Sequence, residues 1–289
     1  MTERLVFDLE EQPPLPFQAA DDYARLVLDW SSEVPEGVLM RRDLAYGPHR
    51  RQRYDVFAPP GATSAPILIF FHGGGWTNGY KEFTGFMAPA VTRLGMILVA
   101  PSYRLAPADP LPAAFDDGLS VLRVIAATAA DFGGDPDRMY LSGHSAGGHL
   151  AALTALRHEA RLHAGLSPQA IRGCLPISGI MDLHHSAPPP GSLEERVYTW
   201  VLERDTDDGV MSPICWTAGN TVPMLLSHGS RDSERVMRSN ARLEALLALQ
   251  PAPVERIVEN DRDHFQTHLD LHDPAHPWYG RLSKLVAET

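Results

Sequence analysis

Residues 143–147 read Gly143-His144-Ser145-Ala146-Gly147, between the apolar Met139-Tyr140-Leu141 and the helix formers Gly148-His149-Leu150-Ala151-Ala152. A serine flanked by glycines at this spacing suits a sharp strand-to-helix turn that lifts its hydroxyl out of the backbone. Side chains in place of the glycines would collide with the neighbouring strand and helix. A hydroxyl presented this way can attack a carbonyl, so Ser145 is the candidate nucleophile. The plainer alternative is a glycine-rich helix start with a capping serine. The strand-like residues before the turn and the small residues after it favour the nucleophile.

Around this turn, strand-like and helix-like stretches alternate. Residues 54–57, 67–71, 96–100, 139–142, 171–177, 223–227 and 254–258 read as short, mostly apolar strands. Residues 81–94, 115–130, 146–157 and 232–249 have helical spacing, and a short helix is expected around 282–286. Such alternation implies an α/β fold with a mostly parallel central sheet and helices on both faces. The whole chain, 1–289, is expected to form one domain. Residues 1–45 differ in texture. A breaker-rich run, Glu10-Glu11-Gln12-Pro13-Pro14-Leu15-Pro16, precedes an amphipathic helix over 19–30. This reads as an arm packed on the body, which could cover a site. Residues 183–208, with Pro188-Pro189-Pro190-Gly191 and a helical stretch over 193–202, read as a small cap insertion above the strand ends.

Three further groups complete a chemistry for Ser145. His72-Gly73-Gly74-Gly75-Trp76 directly follows the apolar strand 67–71. Consecutive glycines there can turn backbone N–H groups toward a ligand, as acyl transfer requires when charge grows on the carbonyl oxygen. Losing one such donor typically costs about 3–4 kcal/mol. Gly74 and Gly75 are the expected donors, with the N–H of Ala146 as their partner. The alternative is a glycine turn chosen for tightness alone. Asp232 follows the strand 223–227 on Ser227-His228-Gly229-Ser230-Arg231-Asp232, where a carboxylate can orient a histidine. It could instead cap the following helix, with Glu234 then the fallback acid. His264, in Asp261-Arg262-Asp263-His264-Phe265, is the expected base, because imidazole accepts and returns a proton near neutral pH. This chemistry requires no metal or organic cofactor.

His264, His268, His272 and His276 recur every fourth residue, the spacing by which a helix can chelate zinc. Pro274 and Pro277 break any helix there, so a metal-dependent hydrolase is the weaker reading. A second alternative is a non-catalytic small-molecule binder, which the filled Ser145, Asp232 and His264 positions disfavour. His144 and His149 read as packing residues beside the nucleophile. Trp76, Tyr103, His144 and Phe265 are expected to line a substrate pocket, with Tyr80, Phe83, Trp200 and Trp216 as further aromatic candidates.

The composition narrows the partners. A formal charge of −11 without a Lys/Arg block argues against nucleic acid or an anionic membrane. The two cysteines, Cys174 and Cys215, give no disulfide framework and read as reduced core thiols. Met1-Thr2-Glu3-Arg4 shows no signal-peptide pattern, and no apolar run reaches transmembrane length, so a cytoplasmic location is expected. A small ester or amide substrate is the expected partner, and a homodimer is open.

The motifs His72-Gly73-Gly74-Gly75-Trp76, Tyr103-Arg104-Leu105-Ala106-Pro107, Gly143 to Ala152 and His228-Gly229-Ser230-Arg231-Asp232 resemble the α/β-hydrolase superfamily. The resemblance runs from about residue 46 to 265. It is nearest the carboxylesterase branch that holds hormone-sensitive-lipase-like esterases and kynurenine formamidases. The order Ser145, Asp232, His264 is that family's triad order. His144 and His149, where lipase-like esterases tend to carry Asp and Asn, resemble the formamidase group, as do the His-Gly-Gly-x-Trp block and Lys81. Tyr103 to Pro107 is shared with the lipase-like esterases, with Ala108 where those carry Glu. The resemblance implies an α/β-hydrolase fold and a serine hydrolase that cleaves a small carboxylic ester or an N-aryl formamide.

Overall fold

A computed structural model describes residues 4–15, 17–33 and 35–289. Met1–Glu3 of the expected leaderless start, and Pro16 and Val34 of the expected arm, lie outside the described residues. In chain order the main elements are α1 (Gln18–Ser31), β1 (Leu39–Ala45), β2 (Arg53–Ala58), β3 (Ala65–Phe71), α2 (Ala88–Arg93), β4 (Ile97–Pro101), α3 (Leu111–Thr128), β5 (Gly134–His144), α4 (Ala146–Leu156), α5 (His158–His163), β6 (Ile171–Ile177), α6 (Leu193–Arg196), β7 (Met224–Gly229), α7 (Glu234–Leu247), β8 (Val254–Glu259), α8 (Gln266–Leu269) and α9 (Pro277–Glu288).

The eight strands form one sheet in the order β1-β2-β4-β3-β5-β6-β7-β8. β2 pairs antiparallel with β1 and with β4, and all pairs from β4 to β8 are parallel. The apolar runs of the central strands reflect burial on both faces. Along β3, Ile67, Ile69 and Phe71 enter one core, with Val121, Leu122, Leu150 and Leu243 from α3, α4 and α7. Leu68 and Phe70 enter the other core, with Val27, Val91 and Trp278 from α1, α2 and α9. This is the mostly parallel sheet with helices on both faces expected from the alternation. Among the described residues, no helix is long and apolar enough to cross a membrane.

Three expectations need correction. The span 1–45 is not only an arm, because Leu39–Ala45 is an edge strand. Its polar Arg41-Arg42-Asp43 hides the pattern. As an edge it has one neighbour, its register shifts between Arg41 and Leu44, and Asp43 has φ of 57°. The helix expected over 81–94 is two 3₁₀ turns, Lys81–Phe83 and Gly85–Met87, followed by α2. Pro89 lacks the N–H that would bond one turn back, and its ring would strike that carbonyl, so a continuous helix is blocked. Lys81 is buried there on Asp55 and Asp43, both at 2.9 Å, and ties this segment to β1 and β2. Cys174 is a buried core thiol as expected, whereas Cys215 is exposed on a 3₁₀ turn, Pro213–Trp216.

Candidate active site

The site lies beyond the carboxyl ends of β3, β5, β7 and β8, where an open parallel sheet leaves a crevice. Ser145 sits at the turn between β5 and α4 with φ of 56° and ψ of −119°. Its N–H is held by the Ile177 carbonyl at 2.8 Å. The turn brings α4 so close to β3 that residue 147 must be glycine. A Cβ on Gly147 would fall 2.0 Å from the Phe71 carbonyl oxygen and 2.4 Å from that of His72.

His264, on the loop after β8, brings the two ends of the arrangement together. Its Nε2 accepts from the Ser145 hydroxyl at 2.8 Å, and its Nδ1 donates to Asp232 Oδ1 at 2.9 Å. Asp232 ends the loop after β7, and its side chain is fully buried. Burial pushes its carboxyl up, but the hydrogen bond and charge of His264 and the Ser233 N–H, which donates to Oδ1 at 2.8 Å, outweigh this. The group is held below the usual carboxylate value. Helix α7 is capped by Ser233, whose hydroxyl accepts from the Val236 N–H, so Asp232 is not its cap. Glu234 is exposed and faces Arg238.

The His264 backbone is also fixed. His144 Nε2 donates to its carbonyl at 2.7 Å, and the Thr267 hydroxyl does so at 2.8 Å. His144 cannot compete as a base. Burial foremost, then the neighbouring charges of His264 and His268, push its pKa well below the ordinary value. His149 is held neutral by burial, at about 4, between the Trp76 indole N–H and the Met211 carbonyl.

Gly74 and Gly75 border the same space, with φ of 130° and 61°. Among the described residues, no protein acceptor takes the N–H of Gly74, Gly75 or Ala146. Above Ser145 opens a cavity of about 600 Å³, walled chiefly by apolar side chains that include Leu15, Phe17, Phe83, Ile180, Leu193 and Phe265. The arm thus forms one wall, and the segment over 183–208 contributes Ser192, Leu193 and Glu194.

A family model for the alpha/beta hydrolase fold matches residues 68–266, from β3 past His264. The chain belongs to the alpha/beta hydrolase fold family. It is 25% identical to the isoprenylcysteine alpha-carbonyl methylesterase of Arabidopsis thaliana over 254 residues, 81% of this chain and 58% of that protein. It is 35% identical to the carboxylesterase NlhH of Mycobacterium tuberculosis over 150 residues, 49% of this chain and 47% of that one. The chain therefore spans about half the length of these curated relatives. Among solved structures, an esterase from Pyrobaculum calidifontis superposes with a TM-score of 0.77 at 20% identity, covering 93% of this chain and 92% of that one.

Within this alpha/beta hydrolase, His144, Phe265, Tyr80 and Phe83 border the cavity, whereas Trp76 and Tyr103 do not. Trp76 is buried edge-on to His149. Tyr103 stacks on His72 and donates its hydroxyl to the His72 carbonyl at 2.8 Å. Both shape the loop from behind, because their polar atoms found partners inside the body. Trp200 and Trp216 lie elsewhere, under Arg196 and Arg157 respectively. The four periodic histidines separate. His264 turns to Ser145, His268 pairs with the Tyr23 hydroxyl, His272 stacks on Trp30, and His276 caps α9. Sequence reasoning missed Gln12, Leu15, Phe17, Tyr23, Ile180 and Val236 as walls. The proline run before α1 was the only local sign that the arm stays extended enough to reach the site.

Proposed function

We propose that this chain is a carboxylic ester hydrolase acting through an acyl-enzyme on Ser145. The observation that carries the reading is His264 bridging the Ser145 hydroxyl and the buried Asp232 at the floor of an apolar cavity. His264 removes the hydroxyl proton as Ser145 Oγ bonds to the substrate carbonyl carbon. The N–H groups of Gly74, Gly75 and Ala146 receive the oxyanion. The imidazolium returns its proton to the departing alcohol as the C–O bond breaks. Water, deprotonated by the same His264, then releases the acid and restores Ser145. Two relatives, a methylesterase and a carboxylesterase, support the same reaction class.

The walls favour a neutral, largely apolar ester. Among the described residues, the cavity is bordered by Asp21, Glu194 and Asp232 and by no lysine or arginine. A substrate carboxylate would find no counter-charge there. An N-aryl formamide is the narrower alternative, favoured by the rings of Tyr80, Phe83 and Phe265.

Two measurements test the reading. First, wild type and S145A are assayed on p-nitrophenyl esters from formyl to hexanoyl and on a formanilide. Retained or rising kcat/KM from acetyl to butyryl supports the ester reading, whereas a steep fall from formyl onward supports the formamidase. S145A should lose about 10³-fold or more in kcat. Second, a serine-directed fluorophosphonate should label Ser145. No label and no turnover would mark a binder instead, and activity abolished by chelator would mark a metal enzyme.

A further inference from the structure

The loop carrying Gly74 and Gly75 is gripped from outside by the N-terminal arm. Gln12 Nε2 donates to the Gly79 carbonyl at 3.0 Å, and Gln12 Oε1 accepts the Gly79 N–H at 2.7 Å. One side-chain amide thus satisfies both backbone groups of a distant residue. Arg51, itself buried, donates to the same carbonyl and joins Glu10 of the arm, while Asn78 donates to the Pro13 carbonyl.

Gly79 in turn bears on the donor peptides. Its φ is 102°, and a Cβ there would fall 2.1 Å from the Gly73 carbonyl oxygen and 2.4 Å from His72 Nδ1. Its backbone therefore rests directly on the peptide that precedes Gly74. Inside the loop, the N–H groups of Thr77 and Asn78 converge on the Gly74 carbonyl at 3.2 and 2.9 Å. The three glycines of 73–75 carry no side chain that could hold them, and glycine has the most backbone freedom to lose. Oxyanion donors stabilise a transition state only if they are aimed before it forms. To the bonds within the loop the amide clamp adds an anchor from the arm.

We propose that Gln12 is a positioning residue for the reaction, holding the 73–79 loop so that the Gly74 and Gly75 N–H groups stay aimed at the oxyanion. The inference rests on the ester-hydrolase reading and adds to it a residue of the arm whose amide is bonded to both backbone groups of Gly79.

The test compares wild type, Q12L and Q12E with S145A as the inactive reference, on a p-nitrophenyl ester. It also measures inhibition by an aryl trifluoromethyl ketone, whose serine adduct places an oxyanion against the same donors. Q12L should lower kcat about ten- to a hundredfold with KM within about twofold, and weaken the ketone by the same factor. Q12E keeps the acceptor for the Gly79 N–H but sets a carboxylate against its carbonyl, and should fall between. Unchanged kcat, a loss confined to KM, or undiminished ketone affinity would overturn the clamp while leaving the hydrolase intact. If Q12L melts early, the parallel between kcat and ketone affinity in Q12E decides. A wild type that does not turn over, or an S145A that does, sinks the hydrolase reading and the clamp with it.

Discussion

At Asp232, burial and hydrogen bonding pull in opposite directions, and the outcome depends on His264. The carboxylate has Nδ1–H at 2.9 Å and the Ser233 N–H at 2.8 Å on one oxygen, and is held below its usual value. An amide at this position can turn its NH₂ toward Nδ1 and favour the tautomer that cannot accept from Ser145. D232N should therefore lower kcat about 10³- to 10⁴-fold with little change in KM. E234Q should leave steady-state rates unchanged, since Glu234 faces Arg238 on the exposed side of α7. Equal losses in the two variants would mean that Asp232 does not orient the histidine.

Between β5 and α4, one glycine substitution tests how far the turn depends on contact with β3. In G147A the new methyl meets two backbone oxygens, of Phe71 and His72, neither of which can rotate away. α4 must shift, and Ser145 with it. Urea unfolding should show a loss of about 3 kcal/mol. Gly280, inside α9, has open space where a methyl would sit, with no atom within 4 Å, and no left-handed backbone to preserve. G280A should gain about 0.5–1 kcal/mol, because glycine in a helix interior is disfavoured against alanine. The same chemical change thus carries opposite signs in two helices packed on one sheet. A neutral G147A would show that the close approach of α4 to β3 is not needed.

Across the whole molecule, buried neutral histidines make stability depend on pH. Burial foremost pulls His72 to about 3, His268 to about 3 and His149 to about 4, and pulls His144 well below its ordinary 6.5. Near pH 5 the folded state keeps all four neutral, while the unfolded chain protonates them. The unfolded state then binds more protons, so stability is full above about pH 7 and falls as pH drops through 6.5. Each group adds a slope approaching about 1.4 kcal/mol per pH unit. Unfolding free energies at pH 7, 6 and 5 should fall accordingly. H268N, which keeps a polar partner for Tyr23, should be shallower by one proton's slope. Stability flat from pH 7 to 5 would contradict these shifts.

What could be read from the chain alone was encoded over short spans. Glycines two residues to either side of Ser145 specify a turn through local sterics, and the apolar runs at 67–71 and 139–142 specify strands buried on both faces. The order of serine, acid and histidine was read from the resemblance to the α/β-hydrolase superfamily, not from local sterics. Other features depended on which surfaces meet. Trp76 and Tyr103 carry the same aromatic signal as Phe83 and Phe265, and only the direction in which each side chain points separates core from cavity wall. The polar edge strand at 39–45 became visible only beside β2. Gln12 carries no pattern of its own; its role arises because folding brings its amide onto Gly79. Short-range sterics are written in residue spacing, whereas a contact between distant residues exists only once the intervening chain has packed.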